Sequence, residues 1–218
     1  MRINRFLTLL LTLGLVLPAL VQAASAAAPA AAPPDEVIQQ TAQQIFTAVN
    51  GDRTELQQDP QKLDELVGKI LMPHFDFDEA SRLVLGRYWR TATPAQRKAF
   101  EDAFYKYLVN SYANGLLKGN YSSRSIKVEP WRGDVSDTRT MIRTQVALAG
   151  KPPVQVDYAM LRTPQGWKAF DVSVEGVSYV LSYRNQFAPE IQQKGLDALI
   201  KRLQTDAVQA PAAQSHAG

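Results

Sequence analysis

The 218-residue chain carries 24 Lys+Arg, 21 Asp+Glu and no cysteine. Without a thiol it forms no disulfide, binds no metal through thiolates and has no thiol nucleophile. The formal charge of +3 overstates its basicity: without Arg2 and Arg5, which belong to an expected leader, the 24 basic residues become 22 against 21 acidic ones. A near-neutral chain lacks the clustered basic footprint of a nucleic-acid binder.

Met1-Arg2-Ile3-Asn4-Arg5 precedes an apolar run from Phe6 to Val21, and Val21-Gln22-Ala23 follows as a small-residue cleavage site. Positive flank, short apolar core and cleavage site in that order predict a cleaved signal peptide over residues 1–23. With no Cys to carry a lipid, the exported chain is expected to be soluble. Residues 24–34 are Ala/Pro-rich, have nothing bulky to bury and read as a disordered spacer. One domain is expected over residues 35–205, followed by an Ala/Gln/Pro tail over 206–218.

Asp35-Glu36 open a predicted helix with the stripe Ile38, Ala42, Ile45 and Val49, ended by Gly51-Asp52. A second runs from Pro60 to Met72 with Leu63, Leu66, Val67, Ile70 and Leu71, and Pro73 stops it. Asp76 or Asp78 caps a short helix through Leu83, Val84 and Leu85 that closes at Gly86. Thr93-Pro94-Ala95-Gln96 is a capping box, and the helix behind it reaches about Leu117 with Phe100, Phe104, Tyr107, Leu108, Ser111 and Tyr112 inward. The period then changes to two over Ser125–Glu129, Ile142–Leu148, Val154–Met160 and Trp167–Val174, with turns at Gly150–Pro153 and Thr163–Gly166. The prediction is α+β: a four-stranded antiparallel twisted sheet covered on one face by helices.

The chain pivots on Phe170–Phe187. Phe170, Val172 and Val174 alternate onto one strand face, opposite Asp171, Ser173 and Glu175. Gly176 turns the chain sharply, and Val177, Val180, Arg184 and Phe187 then take helical spacing. Glu175 and Ser178 stand where the new helix has N–H groups to satisfy. A break is expected at Pro189, before a last helix through Leu196, Leu199, Ile200 and Leu203.

Few residues here suit catalysis. His74, Asp76 and Asp78 form the best cluster for a metal or for acid–base work, but helix capping explains the same aspartates. No Walker loop, G-x-S-x-G elbow, G-x-G-x-x-G or H-E-x-x-H is present. Asp157, Asp171 and Glu175 could serve as acid and base, although ion pairs with Arg139, Arg143 or Arg162 suit those positions better. What remains is apolar surface, and periodicity does not separate a filled core from one that encloses a cavity.

One set of motifs goes further. It comprises Pro73-His74-Phe75-Asp76-Phe77, Leu85-Gly86-Arg87-Tyr88-Trp89-Arg90, Gln96 with Phe100 and Phe104, and Val156-Asp157-Tyr158. It continues with Gly166-Trp167-Lys168, Asp171-Val172, Glu175-Gly176-Val177-Ser178, and Tyr183-Arg184 with Gln186-Phe187. In this order and spacing, over about Val37 to Leu203, the chain resembles the MlaC family of periplasmic phospholipid-binding, or toluene-tolerance, proteins. The resemblance implies a sheet-and-helix fold related to the nuclear-transport-factor cone, with an apolar pocket between sheet and helices. Both acyl chains of a phospholipid would be buried there and the headgroup exposed.

It also implies a non-enzymatic shuttle in the periplasm, with no cofactor other than its phospholipid cargo. Its partners would be an inner-membrane ABC lipid transporter complex with a ring-forming lipid-binding subunit and an outer-membrane lipoprotein–porin complex; its role would be to maintain outer-membrane lipid asymmetry. Apolar periodicity then nominates as pocket lining Ile142, Val146, Val156, Tyr158, Val172 and Val174 from the sheet. From the helices it nominates Leu66, Ile70, Leu108, Tyr112, Val177 and Phe187. Arg87, Arg90, Arg143 and Arg184 are candidates for docking or for a headgroup phosphate, or else for structural salt bridges. The alternative is an enzyme on the same kind of cone, using Asp157, Asp171 or His74 on a small hydrophobic substrate.

Overall fold

The computed structural model describes residues 32–118, 122–134, 136–147, 150 and 152–209. The expected signal peptide, most of the spacer and residues 210–218 of the tail lie outside them. Among the described residues, seven α-helices and five strands follow in the order helices, sheet, helices.

Helix α1 (Pro34–Gly51) has Pro at its first position and Asp35 and Glu36 in its first turn, and it buries Val37, Ile38, Ile45 and Val49. The sequence reading left no helix between Gly51 and Pro60, yet the short α2 (Arg53–Gln58) forms there, anchored by buried Leu56. Helix α3 (Pro60–Leu71) is capped by Asp59, whose carboxylate accepts the N–H groups of Gln61 and Lys62 at 3.1 and 3.3 Å. Helix α4 (Phe77–Leu85) starts on Asp76, which accepts the Glu79 N–H at 2.9 Å, and stops at Gly86 with φ +54°. Helix α5 (Pro94–Lys118) carries the expected capping box: the Gln96 N–H donates to Thr93 Oγ1 at 3.2 Å, and the Thr93 N–H donates to Gln96 Oε1 at 3.0 Å.

The sheet is an antiparallel meander of β1 (Ile126–Val128), β2 (Arg139–Val146), β3 (Val154–Thr163), β4 (Gly166–Val174) and β5 (Val177–Ser178). Five strands replace the four expected because the chain folds back on β4 before it turns helical. Val174 pairs with Val177 across Glu175-Gly176, whose φ values of +49° and +78° are those of a tight two-residue hairpin.

A bulge corrects a second expectation. Ala159 pairs with Asp171 but Met160 pairs with Ala169, so Phe170 has no partner. The frame shifts there. Trp167 and Ala169 share the inner face with Val172 and Val174, while the Phe170 ring packs under the Arg139 guanidinium, 4.9 Å from the centroid. Beyond β5, the free edge of β4 is covered by Phe75, which bridges Ala169, and the Asp76 N–H donates to the Ala169 carbonyl at 2.7 Å.

Helix α6 (Tyr179–Lys194) follows β5 at once. Its N-cap is Ser178, which accepts the Leu181 N–H at 3.1 Å. The carboxylate beside it is Asp171, not the expected Glu175: Asp171 accepts the Val180 N–H at 3.0 Å and the Ser178 hydroxyl at 2.5 Å. Glu175 accepts the Gln155 N–H instead, at 2.6 Å. The break expected at Pro189 does not occur. Phe187 and Ile191, buried on either side of the proline, hold both halves of α6 on one core. Gly195, with φ +85°, ends α6, and α7 (Leu196–Gln209) extends past residue 205.

The buried apolar residues fall into three groups. Helices α4, α5, α6 and α7 enclose Phe100, Phe187, Leu199 and Leu203. Helices α1, α2, α3 and α5 enclose Val49, Leu56, Leu63, Val67 and Val109. Helix α1 lies on the inner face of the sheet over Ile142, Met160, Trp167 and Ala169.

Glu79 ties the first group to the sheet. It accepts two hydrogen bonds from Arg82 at 2.6 and 2.7 Å and one from Arg139 of β2 at 2.8 Å. The Arg82 guanidinium, aided by Arg139 and opposed by burial, holds the Glu79 carboxyl down at about 2 from 4.5. A depressed carboxyl contributes stability above its unfolded value and loses it as the proton binds. With both guanidiniums half in solvent, screening leaves about 1–2 kcal/mol. Acid titration of wild type and E79Q by circular dichroism is therefore expected to show this increment present above pH 4.5, lost as the pH falls towards 2, and missing throughout in E79Q. Parallel curves would contradict the clasp.

Candidate functional site

The three apolar groups do not close on one another. Between them lies a cavity of about 470 Å³, within the range of small-molecule sites, roughly 300–1,000 Å³. Helix α1 supplies Ile38, Ala42, Ile45 and Phe46 to its wall, and α3 supplies Val67 and Leu71. The α3–α4 connection gives Phe75 and the start of α4 gives Phe77, and α5 gives Phe104, Leu108 and Val109. The sheet closes it with Ile126, Val146, Tyr158 and Val172, and α6 with Tyr179, Val180 and Tyr183.

The polar groups on this wall are mostly spent. The Thr41 hydroxyl donates to the Val37 carbonyl at 2.7 Å. Asp171 is held by the start of α6. Burial pushes the Tyr158 phenol up to about 12 against a small opposing effect of the Thr144 hydroxyl. Burial, with the nearby Asp64 carboxylate, likewise pushes Tyr105 to about 12. Burial and then the charge of Lys168 lower His74 from 6.5, so it is neutral at pH 7. Among the described lining residues there is no lysine or arginine. A lining this largely apolar suits hydrocarbon better than water.

Of the twelve residues nominated from sequence, the wall includes Leu108, Tyr112, Val146, Tyr158 and Val172. The others lie elsewhere, each for a physical reason. Phe187 is fully buried inside the helical group, edge-on to Phe100 and Phe104 at 6.3 and 5.9 Å. Ile142 is sealed under α1 with Met160 and Trp167. Leu66 and Ile70 pack at the edge of the α1–α3 group, because the α3 stripe that meets the cavity is Val67 and Leu71. Val156 and Val174 pair with each other two rungs beyond Tyr158 and Val172, only half-buried. Val177, at the hairpin tip, is 58% exposed.

The residues missed came chiefly from α1, whose stripe was legible but whose position over the sheet was not, and from Tyr105, Tyr179 and Tyr183. The candidate arginines are not on the wall. Arg184 Nε donates to the Leu83 carbonyl at 2.6 Å, and Arg87 donates to the Tyr88 hydroxyl at 2.7 Å. Arg90 and Arg143 are exposed. Asp76 is a helix cap, and no three His, Asp or Glu side chains among the described residues converge on a metal position. No helix among them is long and apolar enough to cross a membrane.

Comparison with known proteins agrees with this geometry. A family model described as MlaC protein matches residues 39–205. The intermembrane phospholipid transport system binding protein MlaC of Haemophilus influenzae is 26% identical over 179 residues, 81% of this chain and 83% of that protein. The toluene tolerance protein ttg2D of Pseudomonas putida is 28% identical over 165 residues, 75% of each chain. The solved structure of a phospholipid-binding protein from Ralstonia solanacearum, in complex with a phospholipid, superposes with a TM-score of 0.73 at 29% identity. The match covers 82% of this chain and 98% of that one.

The split between wall and core is measurable by urea unfolding. Phe187→Ala opens a void in packed core and is expected to cost about 3–5 kcal/mol. Leu108→Ala enlarges a hollow that already exists and should cost under about 2 kcal/mol, since fewer packed neighbours are lost. Equal costs would contradict the assignment of Leu108 to a cavity wall.

Proposed function

This chain belongs to the MlaC family, and from that membership we propose that it is a periplasmic phospholipid carrier working between the inner and outer membranes. The acyl chains occupy the cavity between sheet and helices while the headgroup stays in solvent. The observation that carries this reading is the hollow itself: its lining is largely apolar, and Thr41 and Asp171 on it are turned to internal partners. The phospholipid present in the Ralstonia solanacearum structure supports it.

The physical need is plain. Each methylene left in water costs about 0.8 kcal/mol, so a two-chain lipid leaves a bilayer unaided only across a barrier on the order of tens of kcal/mol. A dry hollow removes most of that cost in transit. By family likeness the partners are an inner-membrane ABC lipid transporter complex with a ring-forming lipid-binding subunit and an outer-membrane lipoprotein–porin complex, and the role is upkeep of outer-membrane lipid asymmetry. The expected signal peptide over residues 1–23 fits that compartment. Carriage rather than catalysis suits the polar groups as well, since Asp171 is committed to α6 and Asp76 to α4.

With no lysine or arginine among the described lining residues, the headgroup is not selected inside. Native mass spectrometry of protein purified without detergent is expected to show one complex population carrying both phosphatidylethanolamine and phosphatidylglycerol. Protein free of any phospholipid mass would reject carriage, and strict selection of one headgroup would reject the exposed-headgroup arrangement.

A further inference from the structure

Of the described residues around the cavity, Tyr112 alone is exposed, at 42%. It is thus the lining residue that borders both the hollow and solvent, where α5 passes the first turns of α6. Tyr112 does not stand alone there. Its ring lies nearly parallel on that of Tyr179, with centroids 5.5 Å apart and planes at 21°. Its hydroxyl is 2.8 Å from the hydroxyl of Tyr183. Tyr183 is fixed from behind, edge-on to Phe104 at 5.1 Å and to Tyr107 at 6.0 Å. Burial raises both Tyr179 and Tyr183 above the usual phenol range, so they remain protonated.

A count of hydrogens gives the consequence. Two hydroxyls that bond to each other spend one hydrogen and keep the second. The Tyr179 hydroxyl also bonds that of Tyr112, so three hydroxyls joined by two bonds spend two hydrogens, and the cluster holds one unspent donor beside a hollow whose other polar groups are mostly occupied. A chain that filled the hollow and left it beside Tyr112 would bring its first polar atoms opposite the pair.

We propose that the hydroxyls of Tyr112 and Tyr183, backed by the Tyr179 ring, form a hydrogen-bonding subsite for an acceptor oxygen at the glycerol end of a two-chain lipid. Ester carbonyl and phosphate oxygens share this acceptor chemistry. The inference rests on the carrier reading above and adds to it a fixed depth: the subsite sets where the hydrocarbon stops. Neutral phenols hold an acceptor common to all glycerophospholipids, so the grip is independent of the headgroup beyond the phosphate.

The test uses the full mature chain and three lipids: dipalmitoyl phosphatidylglycerol, its diether counterpart without ester carbonyls, and dipalmitoylglycerol without phosphate. Each affinity is expressed as a ratio to that of diphenylhexatriene, a hydrocarbon probe with no acceptor oxygen. Y112F and Y183F keep their rings, and Tyr112 is exposed, so Y112F folds even if Y183F does not. Each variant is expected to lower the ratio for the diester phospholipid by roughly 5- to 10-fold, the loss of one buried hydrogen bond. The wild type is expected to lose a similar factor on the diether if the acceptor is a carbonyl, or on dipalmitoylglycerol if it is a phosphate. Ratios unchanged in both variants overturn the subsite, as does a wild type that loses affinity in neither lipid arm. Failure of the wild type to bind any of the three overturns the carrier reading, and the subsite with it.

Discussion

One carboxylate on the fourth strand fixes the shape on which the rest depends. Asp171 sits in the last rungs of β4, and its two oxygens take the N–H of Val180 and the hydroxyl of Ser178. Those groups open α6. A helix start leaves N–H groups without partners, and a carboxylate there is favoured both by hydrogen bonding and by the helix dipole. The two-residue turn at Glu175-Gly176 brings the chain back within reach of Asp171, so strand and helix are joined by a loop too short to flex far. With α6 pinned here and the Phe75 bridge pinning the segment before α4 at Ala169, the helices are held against β4 at two places, and the hollow borders both.

The hollow follows from that framing. A contiguous core would have the three apolar groups merge, and dispersion and burial favour the merger. Instead each group is closed by its own elements. Phe100, Phe187 and Leu203 are satisfied among helices, Leu63 and Val67 among α1, α3 and α5, and Met160 and Trp167 between α1 and the sheet. The faces left over are Leu71, Leu108, Val146, Val172 and their neighbours, which have apolar partners on one side only. Such an arrangement gives up packing energy in the empty state. A hydrocarbon chain restores it, and this is a thermodynamic reason for the cavity to bind acyl chains rather than water.

Much of this was legible in the residues. The capping box at Thr93–Gln96, the cap at Asp76, the stop at Gly86 and the meander after residue 125 are local signals with local causes, and they hold in the fold. What was not legible depends on geometry between elements. The bulge at Phe170 adds one residue to the strand and moves every side chain before it to the opposite frame; alternation read from sequence has no way to register this. Pro189 was read as a break by its local cost, but burial on both sides outweighs that cost. The cavity wall was the least legible. A residue facing a hollow and a residue facing a packed neighbour obey the same apolar spacing, so Phe187 and Ile142 were nominated alongside Leu108 and Val172 although only the latter pair borders the cavity. The capping carboxylate illustrates the same limit. Glu175 is nearer to α6 in sequence, but the antiparallel return of the chain places Asp171 nearer in space.

The central claim is that cargo travels inside the hollow and not on the surface of the protein. Ala42, which borders both the cavity and the group packed between α1 and the sheet, is small, so a bulky replacement takes up space in the hollow. The direct test is vesicle-to-vesicle transfer of a fluorescent phospholipid by Ala42→Trp, with folding verified by its circular dichroism and melting transition. The account predicts that the folded, plugged protein no longer transfers lipid. Transfer at the wild-type rate by that protein would contradict it.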